Sequence, residues 1–196
     1  MSSEVAIDDD RCRLLVELPA AVDRPLRETL RRLTERDRLG GIVVGRSTAD
    51  VRDIASSLSV ALLSRDMADA DIADGLMQPF ATAGRATSAA ELIRIAEVGT
   101  SRHAAMEAGE NGADVVLFAA TDGDAPDVAL DCVRWWRQLF VLPVAVAAEP
   151  TSATELAGAG ADFLLIAGQT IGSAEVADRI LAELDRTVPE PPLLTG

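Results

Sequence analysis

The sequence predicts an α/β fold, a single (β/α)8 barrel of the TIM type with its third helix short or lost. Three observations lead there. Eight strand-like apolar runs alternate with helix-like segments along 196 residues. The runs are apolar almost throughout, as strands are when helices cover both faces of a parallel sheet. A helix end, then Gly-Ala-Asp, then an apolar strand occurs twice, as GENGADVVLF and GAGADFLLIA. The two copies lie one βαβα unit apart, the spacing of the αβ turns in a barrel. An open doubly wound sheet is the competing architecture, and it accounts less well for eight strands and this repeat.

The elements follow in order. Residues 13–18 (RLLVEL) read as the first strand, ended by Pro19. Residues 23–38 read as a helix: Asp23 caps it, Pro25 fits its first turn, and Leu26, Leu30 and Leu33 share one face. Gly40-Gly41 is expected to stop it. Residues 42–45 form the second strand, and a helix opened by Thr48 or Asp50 runs to residue 57. Residues 59–63 form the third strand. The acidic stretch 66–74 has room for only a turn or two of helix. Residues 75–79 form the fourth strand, and a helical segment starting at 88–91 leads into the fifth, 93–98.

Residues 101–111 are a helix closed by Gly112, and 114–118 are the sixth strand. The helix 125–140 places Val128, Cys132, Trp135 and Trp136 at helical spacing. The seventh strand is 144–147. The helix 151–159 has Thr151 or Ser152 as its cap and Glu155 placed for a capping box. The eighth strand is 162–167 and the last helix 173–186. The barrel is thus expected over 11–187, between a disordered acidic N-terminus (1–10) and a Pro-rich tail (188–196).

Composition narrows the chemistry. All 18 basic residues are arginine, so Schiff-base lysine and P-loop lysine chemistry are excluded. There is no tyrosine to act as an acid or base, and a single histidine, His103. A net charge of −14 disfavours nucleic acid and anionic membrane surfaces as partners. Cys12 and Cys132 are isolated in apolar stretches and read as buried, inert thiols. The acidic start MSSEVAIDDD has no signal-peptide pattern, and no run has the length of a membrane span. A cytoplasmic location is expected.

Several stretches carry a resemblance. They are 60–66 (VALLSRD), 73–75 (ADG), 102–109 (RHAAMEAG), 111–118 (NGADVVLF), 142–147 (LPVAVA) and 157–167 (AGAGADFLLIA), with the double Trp between. In order and spacing the chain resembles the thiamine-phosphate synthase/TenI family, clearly over its second half. That resemblance implies a barrel linked to thiamine biosynthesis. The family reaction joins a pyrimidine pyrophosphate to a thiazole phosphate and releases pyrophosphate, with Mg²⁺. Its phosphate cradle sits at the C-terminal ends of the strands, where barrel active sites lie.

Carried onto this sequence, the resemblance nominates residues strand by strand. After strand two, Arg46 stands in for a Gln-x-Arg-x-Lys run. After strand three, Ser64-Arg65-Asp66 replaces an Asn-Asp pair, leaving Asp66 as the metal ligand and Ser64 as a phosphate contact. After strand four, Gln78-Pro79-Phe80 occupies the place of a His and a second metal Asp. Thr100 and Ser101 follow strand five, and Thr121 begins a Thr-Asp-Gly-Asp run after strand six that lacks the family's lysine. Ala148-Glu149-Pro150 takes the place of a Gly-Gly phosphate turn; its glutamate repels phosphate and its proline removes an N–H donor. After strand eight, Gly168, Gln169 and Thr170 offer backbone amides. The candidate catalytic set is therefore Arg46, Arg65 and Thr100. The phosphate set is Ser64, Ser101, Thr121, Gly168, Gln169 and Thr170.

The same residues admit plainer readings. Arg46, Arg65 and Arg102 either converge on an anion or pair with the many acids. Asp66, Asp122, Asp124 and Glu149 either form an oxygen-rich metal site or are solvated loop acids. His103 is expected to be structural or exposed, and Trp135 and Trp136 to serve packing or an oligomer interface. The missing lysines and Gly-Gly turn point to a degenerate or retuned paralogue binding a small phosphorylated ligand, with Mg²⁺ if active and otherwise no cofactor. A synthase with a rebuilt cradle is one alternative. A non-catalytic scaffold or regulatory subunit, acting as a homodimer, is the other.

Overall fold

The computed structural model describes residues 11–81, 92–121, 123–125 and 127–187. Eight parallel strands close into a barrel in chain order: β1 (Arg13–Glu17), β2 (Leu39–Val44), β3 (Ala61–Ser64), β4 (Gly75–Pro79), β5 (Ile93–Gly99), β6 (Val115–Phe118), β7 (Val144–Ala147) and β8 (Phe163–Ala167). Closure is direct, with Leu15 of β1 opposite Leu165 of β8. The helices are α1 (Arg24–Glu35), α2 (Ala49–Leu58), α3 (Arg102–Glu110), α4 (Val128–Leu139), α5 (Ala153–Gly158) and α6 (Ala174–Leu184).

Strand alternation sorts the apolar residues into two cores. Leu15, Val43, Leu63, Met77, Ile95 and Leu117 point into the lumen and pack on one another. Their neighbours, among them Leu14, Val16, Ile42, Val116 and Ile166, face outward and meet Leu26, Leu30 and Leu33 of α1, Ile180 of α6 and Trp136 of α4. Both strand faces are buried, which explains the continuous apolar runs.

The Gly-Ala-Asp repeat has a mechanical cause. Asp114 takes the backbone N–H of Arg94 on its carboxylate at 2.8 Å and gives its own N–H to the Arg94 carbonyl at 2.9 Å. Asp162 does the same to Val144 at 2.8 and 2.9 Å, and Asp74 to Leu62 at 2.8 and 2.9 Å. Each aspartate thus satisfies a backbone N–H within the first two residues of the preceding strand, at the base of the barrel. The glycines before two of them, Gly112 and Gly160, turn the chain at φ +83 and +96, where a side chain is strained. Arg38 stands before β2 in place of an aspartate. It is buried and gives hydrogen bonds to Cys12 O, Leu184 O and Asp185, tying the end of α6 to the start of β1.

Asp23 caps α1, accepting from the Leu26 N–H at 2.9 Å. The helix ends at Glu35, however, with Asp37 left-handed at φ 54, and Gly40-Gly41 do not stop it. They lie inside β2, where a Cβ at Gly41 would stand 3.1 Å from the Ala61 carbonyl oxygen. Thr48 caps α2, and Ser59, expected in β3, ends that helix at φ 55. Ser152 precedes α5, but its hydroxyl donates to Glu149 O, so no side-chain capping bond forms. The third helix is reduced to a 3-10 turn, Met67–Asp69, as the short acidic stretch implied. Trp136 is fully buried, stacked on Phe140 at 4.1 Å and bonded through Nε1 to Leu142 O at 2.8 Å. The expected acidic N-terminus, the helical start at 88–91 and the Pro-rich tail lie outside the described residues.

Candidate functional site at the barrel mouth

The C-terminal ends of the strands form the mouth. Counting two residues on from the lumen layer places Glu17, Gly45, Arg65, Pro79, Glu97, Ala119, Ala147 and Ala167 on the inner ring, by alternation. Most of this ring is small. Its charge comes from three residues that meet each other. Arg65 gives Nε–H to Glu17 Oε1 at 2.8 Å and a terminal N–H to Glu97 Oε1 at 2.5 Å. The three side chains are 28%, 37% and 19% exposed. Burial works to lower the Arg65 pKa, but the two carboxylates outweigh it and hold the guanidinium above its ordinary value.

Around this centre the nominated residues separate into small groups with their own partners. Arg46, exposed on the rim, pairs with Asp66 through Nε at 3.1 Å. Asp66 also caps the 3-10 turn, accepting from the Ala68 N–H at 2.9 Å. Ser64 is buried and donates its hydroxyl to Asp69 at 2.6 Å. The same Asp69 oxygen takes the Ser47 N–H at 2.6 Å, so this buried acid stitches the β2 loop to the end of β3.

On the β5–β6 side, Asp124 gathers the Thr121 N–H at 2.7 Å, the Thr121 hydroxyl at 2.9 Å and the Thr100 hydroxyl at 3.5 Å. The Thr121 amide, first among these, holds the Asp124 carboxyl below the ordinary aspartate range. Ser101 caps α3 with its hydroxyl, accepting from the Ala104 N–H at 3.2 Å. After β8, residues Gly168–Thr170 form a 3-10 turn with Gln169 exposed and the Thr170 hydroxyl on Ala167 O at 2.7 Å.

Thus Arg65 occupies the lumen, Arg46 and Asp66 one rim, and Thr100 and Thr121 another. Arg102 does not join the other two arginines; its guanidinium lies over the Trp135 ring at 5.0 Å. His103 is exposed on α3, 3.6 Å from Glu107. Both cysteines are buried, and burial pushes the Cys12 thiol up to about 12. Among the described residues no three His, Cys, Asp or Glu side chains gather as a metal-binding group. Both Asp66 oxygens are already engaged, by Arg46 and the Ala68 N–H, and the described residues do not make up a protein-built Mg²⁺ site. Asp122 lies outside the described residues. Sequence reasoning missed Glu17, Glu97 and Asp69. The two glutamates left a signal: each is a charge two places beyond a lumen residue, Leu15 and Ile95.

On the outer wall, a groove of about 550 Å³ between α1 and α6 is lined by Arg31, Arg32 and Arg36. These are neutralised locally, Arg31 by Glu28 and Glu35, Arg32 by Asp178 and Glu28, and Arg36 by Asp185. Hydrogen bonds from Arg31 and then Arg32 bring Glu28 down to about 2.

Comparison with known proteins bears on the family and the fold. No protein-family model matches the chain. A thiamine-phosphate synthase of Erythrobacter litoralis is 43% identical over 91 residues, 40% of this chain and 43% of that protein. One from Hyphomonas neptunium is 36% identical over 134 residues, 60% of each chain. Over these stretches the chain is similar to thiamine-phosphate synthases. It spans less than two thirds of the length of these curated relatives. Among solved structures, thiamine phosphate pyrophosphorylase from Pyrococcus furiosus superposes with a TM-score of 0.63 at 21% identity, covering 91% of this chain and 98% of that one. An Amycolatopsis orientalis BexX/CysO complex chain gives 0.62 at 15%, covering 96% and 97%. At these identities the superpositions speak for the barrel fold. Among the described residues no helix is long and apolar enough to cross a membrane.

Proposed function

We propose that this chain is a thiamine-phosphate-synthase-type barrel of thiamine biosynthesis whose mouth has been retuned, so that it binds a small ligand but does not run the family's pyrophosphate-releasing transfer. The observation that carries the reading is the pairing of Arg65 with Glu17 and Glu97. Displacing pyrophosphate requires fixed positive charge aimed at the departing phosphates, and one such group lost often costs about 3 kcal/mol of transition-state stabilisation. Here the lumen cation is already neutralised from two sides. Glu149-Pro150 adds a carboxylate and removes an amide where the family has its Gly-Gly turn. The cofactor expectation follows: Mg²⁺ enters only with a phosphorylated ligand that supplies most of its oxygens. A cytoplasmic location and the lack of nucleic-acid or membrane partners belong to the same reading.

A thermal-shift titration with thiazole phosphate, pyrophosphate and Mg²⁺ tests it. A ligand that binds only the folded state raises the melting temperature by mass action. The reading expects no rise with pyrophosphate and Mg²⁺ at millimolar concentration. A clear rise, followed by turnover, returns the chain to the ordinary synthases with Arg46 and Arg65 as its cradle.

A scaffold reading has its own support. Val141 is 99% exposed and Leu139 62%, at the end of α4, and Met106 is exposed on α3. Exposed apolar groups mark contact surfaces where they form a contiguous patch, and this reading takes Leu139 and Val141 as the centre of one. That reading expects a homodimer in light scattering at micromolar concentration, dispersed by Leu139→Arg with Val141→Arg.

A further inference from the structure

The Glu17–Arg65–Glu97 arrangement is built across the barrel, not along its rim. β1 pairs with β2 and β8, β3 with β2 and β4, and β5 with β4 and β6. No two of the three residues sit on adjacent strands, so their side chains meet only over the lumen. Directly beneath them, two residues back in each strand, lie Leu15, Leu63 and Ile95 of the apolar lumen core. Opposite them on the ring stand Ala119, Ala147 and Ala167, which fill little space. The floor of the mouth is therefore one guanidinium, two carboxylates and a patch of methyl groups, with a net charge of −1 from these groups.

The geometry of the guanidinium decides what this floor accepts. Arg recognises phosphate through paired N–H groups on one edge. At Arg65, Nε and one terminal nitrogen are each held by a different glutamate, at 2.8 and 2.5 Å. A phosphate that takes a paired edge, Nη2 with Nε or Nη2 with Nη1, must share a nitrogen with one glutamate and sit beside its carboxylate. Other charged groups of the mouth do not relieve this: Arg46 is bound to Asp66, and Asp124 adds a further carboxylate held by Thr121.

We propose that Glu17 and Glu97 are the specificity-determining residues of the mouth. They pre-empt Arg65, turn phosphate away from the lumen, and reserve the floor for a ligand whose inserted end is uncharged or cationic and is flat enough to lie on the alanine side. Selectivity here comes from a built-in repulsion against the wrong ligand class. The inference rests on the reading of the mouth as the ligand site.

The test is isothermal titration of inorganic pyrophosphate, at neutral pH and fixed ionic strength, into three proteins. These are the wild type, the Glu17→Gln/Glu97→Gln double variant, and that variant with Arg65→Gln added. Glutamine keeps the shape of glutamate and removes its charge. The proposal expects at least a tenfold gain in pyrophosphate affinity in the double variant and loss of that gain in the triple variant. Equal affinity in wild type and double variant overturns it. A gain that survives Arg65→Gln overturns it too, because the gain then reflects net charge alone. Circular dichroism confirms that each variant is folded. If the double variant does not fold, Glu97→Gln alone carries the test, with at least a threefold gain expected and none overturning the proposal. Failure of the functional reading shows instead in the wild type, as pyrophosphate binding and turnover before any substitution.

Discussion

The two ends of the barrel follow different rules. At the base, three strands begin under the same clamp, an aspartate holding an N–H within the first two residues of the strand before it: Asp74 on Leu62, Asp114 on Arg94, Asp162 on Val144. At the mouth no pairing repeats among the described residues: Arg65 takes two glutamates, Arg46 takes Asp66, and Asp124 takes two threonines. The base answers to the backbone, whose unpaired groups recur once per unit and call for the same residue each time. On the proposed reading the mouth answers to the ligand that enters it, and nothing in the fold makes that periodic.

This contrast predicts that changes at the base cost stability and that changes at the mouth alter binding at little cost. The largest effect is expected for Gly75→Ala. A Cβ there would lie 2.6 Å from the backbone oxygen of Ile93, which cannot move without disturbing the β4–β5 pairing. About 3 kcal/mol is expected, or roughly 6–12 °C in melting temperature. A loss under a degree would show that the base is looser than the clamps imply. Asp162→Ala comes next. It strands the buried N–H of Val144, at about 2 kcal/mol or roughly 4–8 °C. Thermal melts check both, and the ligand profile of each variant should match the wild type.

Asp124→Asn is expected to be the smallest and to depend on pH. The Asp124 pKa is depressed in the folded chain, chiefly by the Thr121 amide. Its contribution is therefore present above the unfolded aspartate value of about 3.9 and is lost as pH falls through the lower folded value. Melting temperatures of wild type and variant should differ slightly at neutral pH and converge in acid. A difference that grows in acid would contradict the assignment.

The same division explains what could be read from the sequence. Barrel, strand order and the reduced third helix were legible because they rest on apolar periodicity and on Gly-Ala-Asp, both set by backbone needs. Boundaries slipped where one residue serves two elements. Gly40-Gly41 look like a helix stop but are the tight part of β2, and Ser59 looks like strand but ends α2. Within the mouth, the arginines were visible as isolated cations, whereas their partners were not. Glu17 and Arg65 are 48 positions apart and Arg65 and Glu97 are 32 apart, so only barrel closure brings them together. Asp69 was hidden for a different reason: in an acidic run, nothing local distinguishes the one buried carboxylate from its solvated neighbours.

The most direct test of the central claim is a turnover assay of the wild-type chain with a pyrimidine pyrophosphate, thiazole phosphate and Mg²⁺, scoring thiamine phosphate and released pyrophosphate. A mouth whose lumen arginine is committed to Glu17 and Glu97 predicts no product above the uncatalysed level. Steady formation of thiamine phosphate, lost in Arg65→Ala, would contradict it and make Arg65 a working member of a phosphate cradle.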